Sequence, residues 1–416
     1  MSGYGKLMQI KKLRSTVWDA SPAERAQTAE YGLSTGKGSG MILPSGSSYR
    51  QGVEVENPDP ELLAKIRREC SEYHRKNVSA SFARGRLSVM SGSDPEIFAL
   101  NGRGRVLPAW KFLPSKDEVK GLHEKPYWDG AQAEWTIPPD NCHSYVVDTV
   151  RTGLQRVLEA AQRKDAKAKL TWEPVLAIPY NTRKAAKPEH IILGCAPSEN
   201  GYNIRPVLPD GEATRALKIR FAGFHIHLGF DGGIEPEIAR HVVKQLDRVV
   251  AVMFVAVLAD MDNPVRRQFY GQAGEYRLPK HGIEYRVLSS TVMAHPVLTH
   301  LAFDMARLVA MYACTGVSLI NAEDERVRDI INNCNVDEAR KLMAENNDFY
   351  TSANVALYAE QGWGDGTKAF SALLDKGAKQ IMPVDDMSAQ WQLRSDDFWK
   401  GHSESNNACM RKLVLK

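Results

Sequence analysis

Four short stretches set charged or imidazole side chains two positions apart inside apolar frames: GSDPEIFAL (92–100), DGAQAEWTIPP (129–139), GFHIHLGF (223–230) and HGIEYRVLSS (281–290). On a strand, residues i and i+2 project from the same face. Asp94 and Glu96 therefore share a face, as do Gln132 with Glu134, His225 with His227, and Glu284 with Arg286. Paired carboxylates repel unless a cation lies between them. Imidazole is the commonest transition-metal ligand, and hard carboxylate oxygens select Mg2+ or Mn2+. The planar fork of arginine bonds two oxygens of a phosphate or carboxylate at once. If the four strands are neighbours, they present a concave surface of carboxylates, imidazoles and arginines. That surface suits a metal-bound nucleoside triphosphate and a phosphoryl group in transfer. Each motif alone has a plainer reading: a solvated strand end, hydrogen-bonded interior histidines, or a surface salt-bridge ladder. The conjunction of the four is what points to chemistry.

The densest stretch, 266–290, sets Arg266, Arg267, Arg277, Lys280 and Arg286 against Glu275 and Glu284. Lys111 and Lys116, in AWKFLPSKDE, are further anion-binding candidates, although lysines on a loop are usually solvated. HxH with a carboxylate is also a zinc set with an open position for water, so a zinc-dependent hydrolase is an alternative. The nearby Asp-His of several such hydrolases is absent, and carboxylates outnumber histidines.

These motifs need strands to carry them. The sequence predicts strands at 96–100, 131–137, 173–178, 216–221, 224–230 and 283–289, with helices at 144–162 and 235–261. Regular helices of ten to fifteen residues do not separate the strands, which argues against a doubly wound parallel sheet. A mixed or antiparallel sheet with helices on one face, an α+β fold, fits better. Beyond His295 the pattern is helical, at 296–314, 322–332, 336–345, 348–361, 367–376 and 386–399. Residues 1–55 read as a Gly- and Ser-rich flexible arm and 56–86 as a helix and linker. That helix starts at Asp59-Pro60 and runs over 59–78. A catalytic domain then spans 87–315, and a helical region 316–416.

The composition is that of a soluble globular chain. It has 416 residues, 43% hydrophobic and 25% charged, with a formal net charge of +4. So small a charge does not argue for nucleic acid. Six scattered cysteines without a CxxC read as reduced thiols in the cytoplasm. MSGYGKLMQIKKLR lacks the apolar core of a signal peptide. The longest apolar run, Val249 to Ala259, is too short to span a bilayer. GLSTGKGS has the wrong glycine spacing for a phosphate loop, and Gly38 follows its lysine where Ser or Thr is required.

In order and spacing the four motifs resemble the glutamine-synthetase-like carboxylate–amine ligases, and within them the phage phiEco32-like COOH–NH2 ligases, type 2. The resemblance runs from about residue 88 to about 315. It implies a curved antiparallel sheet whose concave face holds the metals and ATP. By that resemblance Asp94, Glu96, Glu134, His225 and Glu284 bind Mg2+ or Mn2+, with Asp94 standing where glutamine synthetases carry Glu. Asp129 or Glu124 is a companion acid. His227 lies near the nucleotide phosphates, with Lys111 as a further contact. Arg286 and Arg277 meet the phosphoryl group and the substrate carboxylate, while Arg266 and Arg267 match more loosely. The implied reaction is ATP-dependent amide formation through an acyl phosphate, with a small-molecule or peptide carboxylate and an amine as substrates. A phage source, the host cytoplasm and a homo-oligomeric state are further expectations. The rival to an active ligase is an inactive relative serving as a binding or assembly protein.

Overall fold

The structure, a computed structural model, describes residues 89–393 apart from 121–124, 141–142, 192–197, 204–217, 231 and 351–371. The N-terminal arm, the helix expected at 59–78, Glu124, most of the helix expected at 348–361 and residues 394–399 of the one expected at 386–399 lie outside the described residues. The described residues form twelve strands: β1 (Val89–Leu100), β2 (Val106–Leu107), β3 (Tyr127–Asp129), β4 (Gln132–Glu134), β5 (Ile137–Asp140), β6 (Lys169–Thr171), β7 (Val175–Ala177), β8 (Glu199–Asn200), β9 (Ile219–Phe221), β10 (Phe224–Phe230), β11 (Glu275–Arg277) and β12 (Gly282–Tyr285). Ten form one sheet in the order β3-β4-β1-β10-β12-β11-β8, with β2, β5 and β6 also pairing with the long β1. Every pairing is antiparallel.

Two expected strands, 131–137 and 283–289, are corrected in extent. The run 131–137 is not continuous: the chain leaves β1 after Glu134 and returns as β5, which pairs with Ser91 and Ser93 across a register shift. Trp135, fully buried at this break, anchors the corner, and Pro138 and Pro139 follow it. The 173–178 strand does not join the site sheet. As β7 it pairs with β9 in a separate two-stranded ribbon. The last expected strand stops at Tyr285; beyond it Arg266 and Arg267 take the Val287 carbonyl, and Leu288 still accepts from the Phe224 N–H at 2.9 Å.

Helices back the sheet. They are α1 (His143–Lys164), α2 (Pro236–Leu246), α3 (Val252–Leu258), α4 (Pro296–Ala313), α5 (Asp324–Asn332) and α6 (Val336–Glu345). Pro236 and Pro296 stand in the first turns of α2 and α4, where a missing N–H costs nothing. Before α4, His295 Nδ1 accepts from the Val297 N–H at 3.2 Å. The single helix expected at 235–261 is divided by a π-turn, Asp247–Ala251. Asp247 is buried there and accepts from the Tyr285 hydroxyl at 2.6 Å, which ties the turn to the back of β12. The face formed by Phe224, Ile226, Leu228, Ile283 and Tyr285 is fully buried, and Phe224 meets Phe303 of α4 edge-on with 5.3 Å between centroids. The same core continues through Val327, Ile330 and Leu342 of α5 and α6. Among the described residues no helix is long and apolar enough to cross a membrane. The apolar run from Val249 is core.

A candidate metal and anion site on the sheet

The register brings the four motifs together. Asp94 stands opposite His225, Glu96 opposite Glu134, His227 opposite Glu284, and Glu284 opposite Arg277. Directly paired residues share a face, so one row of polar groups crosses five adjacent strands. The other parity is apolar, with Ile97 opposite Ala133, Leu228 opposite Ile283 and Tyr276 opposite Tyr285. The row borders a cavity of about 400 Å³ lined by Asp94, Glu96, Asp129, Glu134, His225, Glu284, Arg277 and Arg286, with Lys116, Tyr127 and Trp128 among the others.

Two acidic groups lie in this cavity. Glu96, Asp129 and Glu134 each offer a carboxylate oxygen, all within 4.8 Å of one another. A Mg2+ ion with bonds of 2.0–2.1 Å spans opposite ligands about 4.2 Å apart, so this set fits such an ion with little movement. Asp129, one of the two companion acids expected, belongs to this cluster, and Glu124 lies outside the described residues. In the second group, Glu284 Oε1 lies 3.6 Å from His225 Nδ1 and 3.4 Å from Arg277, and it accepts from Arg286. Arg286 is 1% exposed. Its guanidinium also donates to the Tyr270 hydroxyl at 3.0 Å, and that hydroxyl contacts His225 Nε2.

The electrostatics follow from burial and crowding. Burial and then the Asp129 charge push the Glu96 carboxyl up to about 7, against the Gly223 N–H that donates to it at 2.6 Å. Burial, followed by Asp129, Asp94 and Glu96, holds Glu134 well above the carboxylate range, while Tyr127 donates to it and Lys116 sits 3.6 Å away. A cation among the three carboxylates relieves this repulsion. Burial opposes ionisation of Asp94, yet the hydrogen bond and charge of His227 outweigh it and lower its carboxyl. Burial and the Arg286 charge keep His225 neutral, far below the ordinary imidazole value.

Four expected site residues are placed otherwise. His227 does not line the cavity. Its Nε2 lies 3.2 Å from Asp94, and its ring stacks on His281 with Nδ1 and Nε2 3.1 Å apart. The two histidines of HIH are thus parted in role, and the zinc set does not assemble around one point. Lys111 is exposed at the end of a short turn, 109–111, away from the cavity, where water solvates its ammonium. Lys116 is the lysine that lines the cavity. Arg266 and Arg267 are fully buried braces. Arg266 donates to the carbonyls of Val287 and Leu288 at 3.0 and 2.8 Å, and Arg267 pairs with Asp262 at 2.7 Å. Sequence reasoning missed Tyr127 and Tyr270. Tyr127 is signalled by its place seven residues before Glu134 across a turn at Gly130, and Tyr270 has no local signal.

The stretch that supplies His225, Arg277, Glu284 and Arg286 lies within one family match. Residues 216–348 match the phage phiEco32-like COOH–NH2 ligase, type 2. The ligase match thus takes in both later motifs, HIH and EYR, and stops short of the two acidic ones. No curated protein matches the chain. Among solved structures, a bifunctional glutathione synthetase from Pasteurella multocida is similar at 12% identity and a TM-score of 0.39, over 82% of this chain and 52% of that one. The chain thus spans about half the length of that protein. GmaS without ligand is similar at 11% identity and a TM-score of 0.37, over 79% of this chain and 84% of that one.

Proposed function

We propose that this protein is an ATP-dependent carboxylate–amine ligase that forms an amide bond through an acyl phosphate. The reading rests on the register that sets Glu96, Glu134, His225, Glu284, Arg277 and Arg286 around one cavity, together with the ligase match over 216–348. Glu96, Asp129 and Glu134 would hold one Mg2+, and His225 with Glu284 and Asp94 another; bound there, such ions would supply neutralisation of the triphosphate charge and polarisation of the phosphoryl group.

The chain's own groups do the rest. Arg286, locked by Glu284 and Tyr270 beside the cavity, places its guanidinium charge against the phosphoryl oxygens. Arg277 is half-buried and adaptable, and orients the reacting carboxylate. Lys116, held over the Tyr127 ring at 4.9 Å, closes the acidic side against solvent. His227 is a structural partner of Asp94 and stands off the cavity. The attack of the substrate carboxylate on the γ-phosphorus needs no enzyme nucleophile. The amine then attacks the acyl carbon, and water must be kept out because acyl phosphates hydrolyse. The family match makes a phage the proposed source and a host cytoplasm the proposed setting.

Mn2+ titration followed by electron paramagnetic resonance tests the metal assignment. Wild type should bind at least two ions, and Glu134→Gln should lose one while remaining folded. Unchanged Mn2+ binding by that variant removes the metal role from this cluster.

A further inference from the structure

The carboxylates of the cavity divide into two sets. Asp94, Glu96, Asp129, Glu134 and Glu284 lie in the proposed metal groups, whereas Asp117 and Glu189 line the same cavity outside them. Glu189 comes from a short turn, Pro188–Ile191, that belongs to no strand motif. The next residue, His190, fixes that turn. Its ring lies flat on Trp110, with centroids 5.1 Å apart and 10° between the planes, and meets Trp128 edge-on at 5.0 Å. Both indoles stand on anchored backbone. The Ala109 N–H donates to the Ala131 carbonyl at 3.0 Å, and the Trp128 N–H to the Pro114 carbonyl at 3.0 Å. The turn closes on itself: the His190 N–H donates to the Lys187 carbonyl at 3.0 Å, and the Lys187 N–H to His190 Nδ1 at 3.4 Å. Glu189 is thus held beside β3, far across the strand order from Arg277 on β11.

Charge decides what that end of the cavity accepts. Lys116 is engaged with Glu134 at 3.6 Å. Lys187 lies 3.7 Å from Glu189, but with 71% and 56% of the two side chains exposed the pair is weak, and the ammonium of a ligand can replace it. Burial lowers the His190 imidazole against the Glu189 charge, so near pH 7 the ring stacks as a neutral group and is no counter-ion for Glu189. Carboxylates repel a phosphate or a second carboxylate, and they accept strong hydrogen bonds from an ammonium. We infer that Glu189, positioned by His190 between Trp110 and Trp128, selects a substrate amine that carries a second cationic group, as an aliphatic diamine does, with Asp117 adding to the same field. That this ligand is the amine substrate rests on the proposed ligase reading; the preference for a cation at this end of the cavity does not.

Calorimetric titration in Mg2+ tests this with 1,4-diaminobutane, butylamine and 4-aminobutanoate, which share one stem and differ at its far end. Wild type should bind the diamine roughly tenfold more tightly than the monoamine, the effect of one hydrogen bond to a charged group, and the amino acid most weakly. Glu189→Gln should bring the diamine to the level of the monoamine. His190→Ala should shrink the preference with little change in thermal midpoint, and His190→Phe, which keeps a ring on Trp110, should restore it. An undiminished preference in His190→Ala would remove the positioning role. Equal affinities or no diamine binding in wild type, a preference that survives Glu189→Gln, or tighter binding of the amino acid would overturn the inference. Weaker ATP binding by Glu189→Gln in Mg2+ would assign Glu189 to the nucleotide and overturn it equally. If wild type binds no ATP, the ligase reading fails, and the three ligands still decide the role of Glu189.

Discussion

Replacing Glu96 with glutamine should make the metal-free protein more stable and the metal-loaded protein less so. Glu96 is 1% exposed, and its carboxyl is pushed from 4.5 up to about 7 by burial and the Asp129 charge. In the unfolded chain the group ionises near 4.5. Below that pH both states hold the proton and nothing is lost. Between 4.5 and 7 the folded state keeps a proton that the unfolded state has released, so stability falls as pH rises and levels off above 7. A difference of two to three pH units corresponds to about 3 kcal/mol at 1.36 kcal/mol per unit. Glutamine keeps an oxygen for the Gly223 N–H and removes the charge. In EDTA at pH 8, Glu96→Gln should therefore exceed wild type by up to about 3 kcal/mol, and the two should converge at pH 4. Mg2+ at 1,000 times its dissociation constant should reverse the order, since it adds about 4.1 kcal/mol to the protein that binds it. Urea denaturation in the four conditions measures both effects. A variant less stable than wild type in EDTA at pH 8, or one that gains as much from Mg2+, would refute the argument.

Other substitutions separate chemistry from scaffolding. Arg266→Leu takes one of two donors from each of the buried Val287 and Leu288 carbonyls, which keep Arg267 and the Phe224 N–H, and should cost about 1–3 kcal/mol, whereas half-buried Arg277→Ala should leave the denaturation midpoint nearly unchanged and weaken nucleotide or substrate binding. Both are read by urea denaturation alongside calorimetry. Asp247→Asn should flatten the loss of stability between pH 4 and 7, because burial pushes the Asp247 carboxyl from 3.8 up to about 7 and asparagine can still accept from Tyr285; equal pH profiles for variant and wild type would contradict this.

The site strands were legible where period-2 alternation ran uninterrupted. HIH and DPE each sit on a long strand, so face and partner follow from sequence parity, and the antiparallel α+β architecture follows from the missing crossover helices. The boundaries near Trp135 and Arg286 were not legible, because long-range contacts accompany them: a buried indole at one corner and arginine side chains on the Val287 carbonyl at the other. Lys111 and Lys116 sit on the same loop with similar neighbours, and only the path of that loop past β3 tells them apart. His227 looked equivalent to His225 by parity. Its partners, Asp94 and His281, come from other strands and turns, and these decide that its ring turns away. Arg266 and Arg267 are clustered charges in sequence, but burial turned them into braces.

The central claim is that this sheet face holds a metal-bound triphosphate, and calorimetric titration with ATP tests it most directly. Stoichiometric binding in Mg2+ that is abolished by EDTA, and lost in Arg286→Ala with the fold intact, is the predicted result. ATP that fails to bind in either condition, or binds equally well without Mg2+, would contradict it.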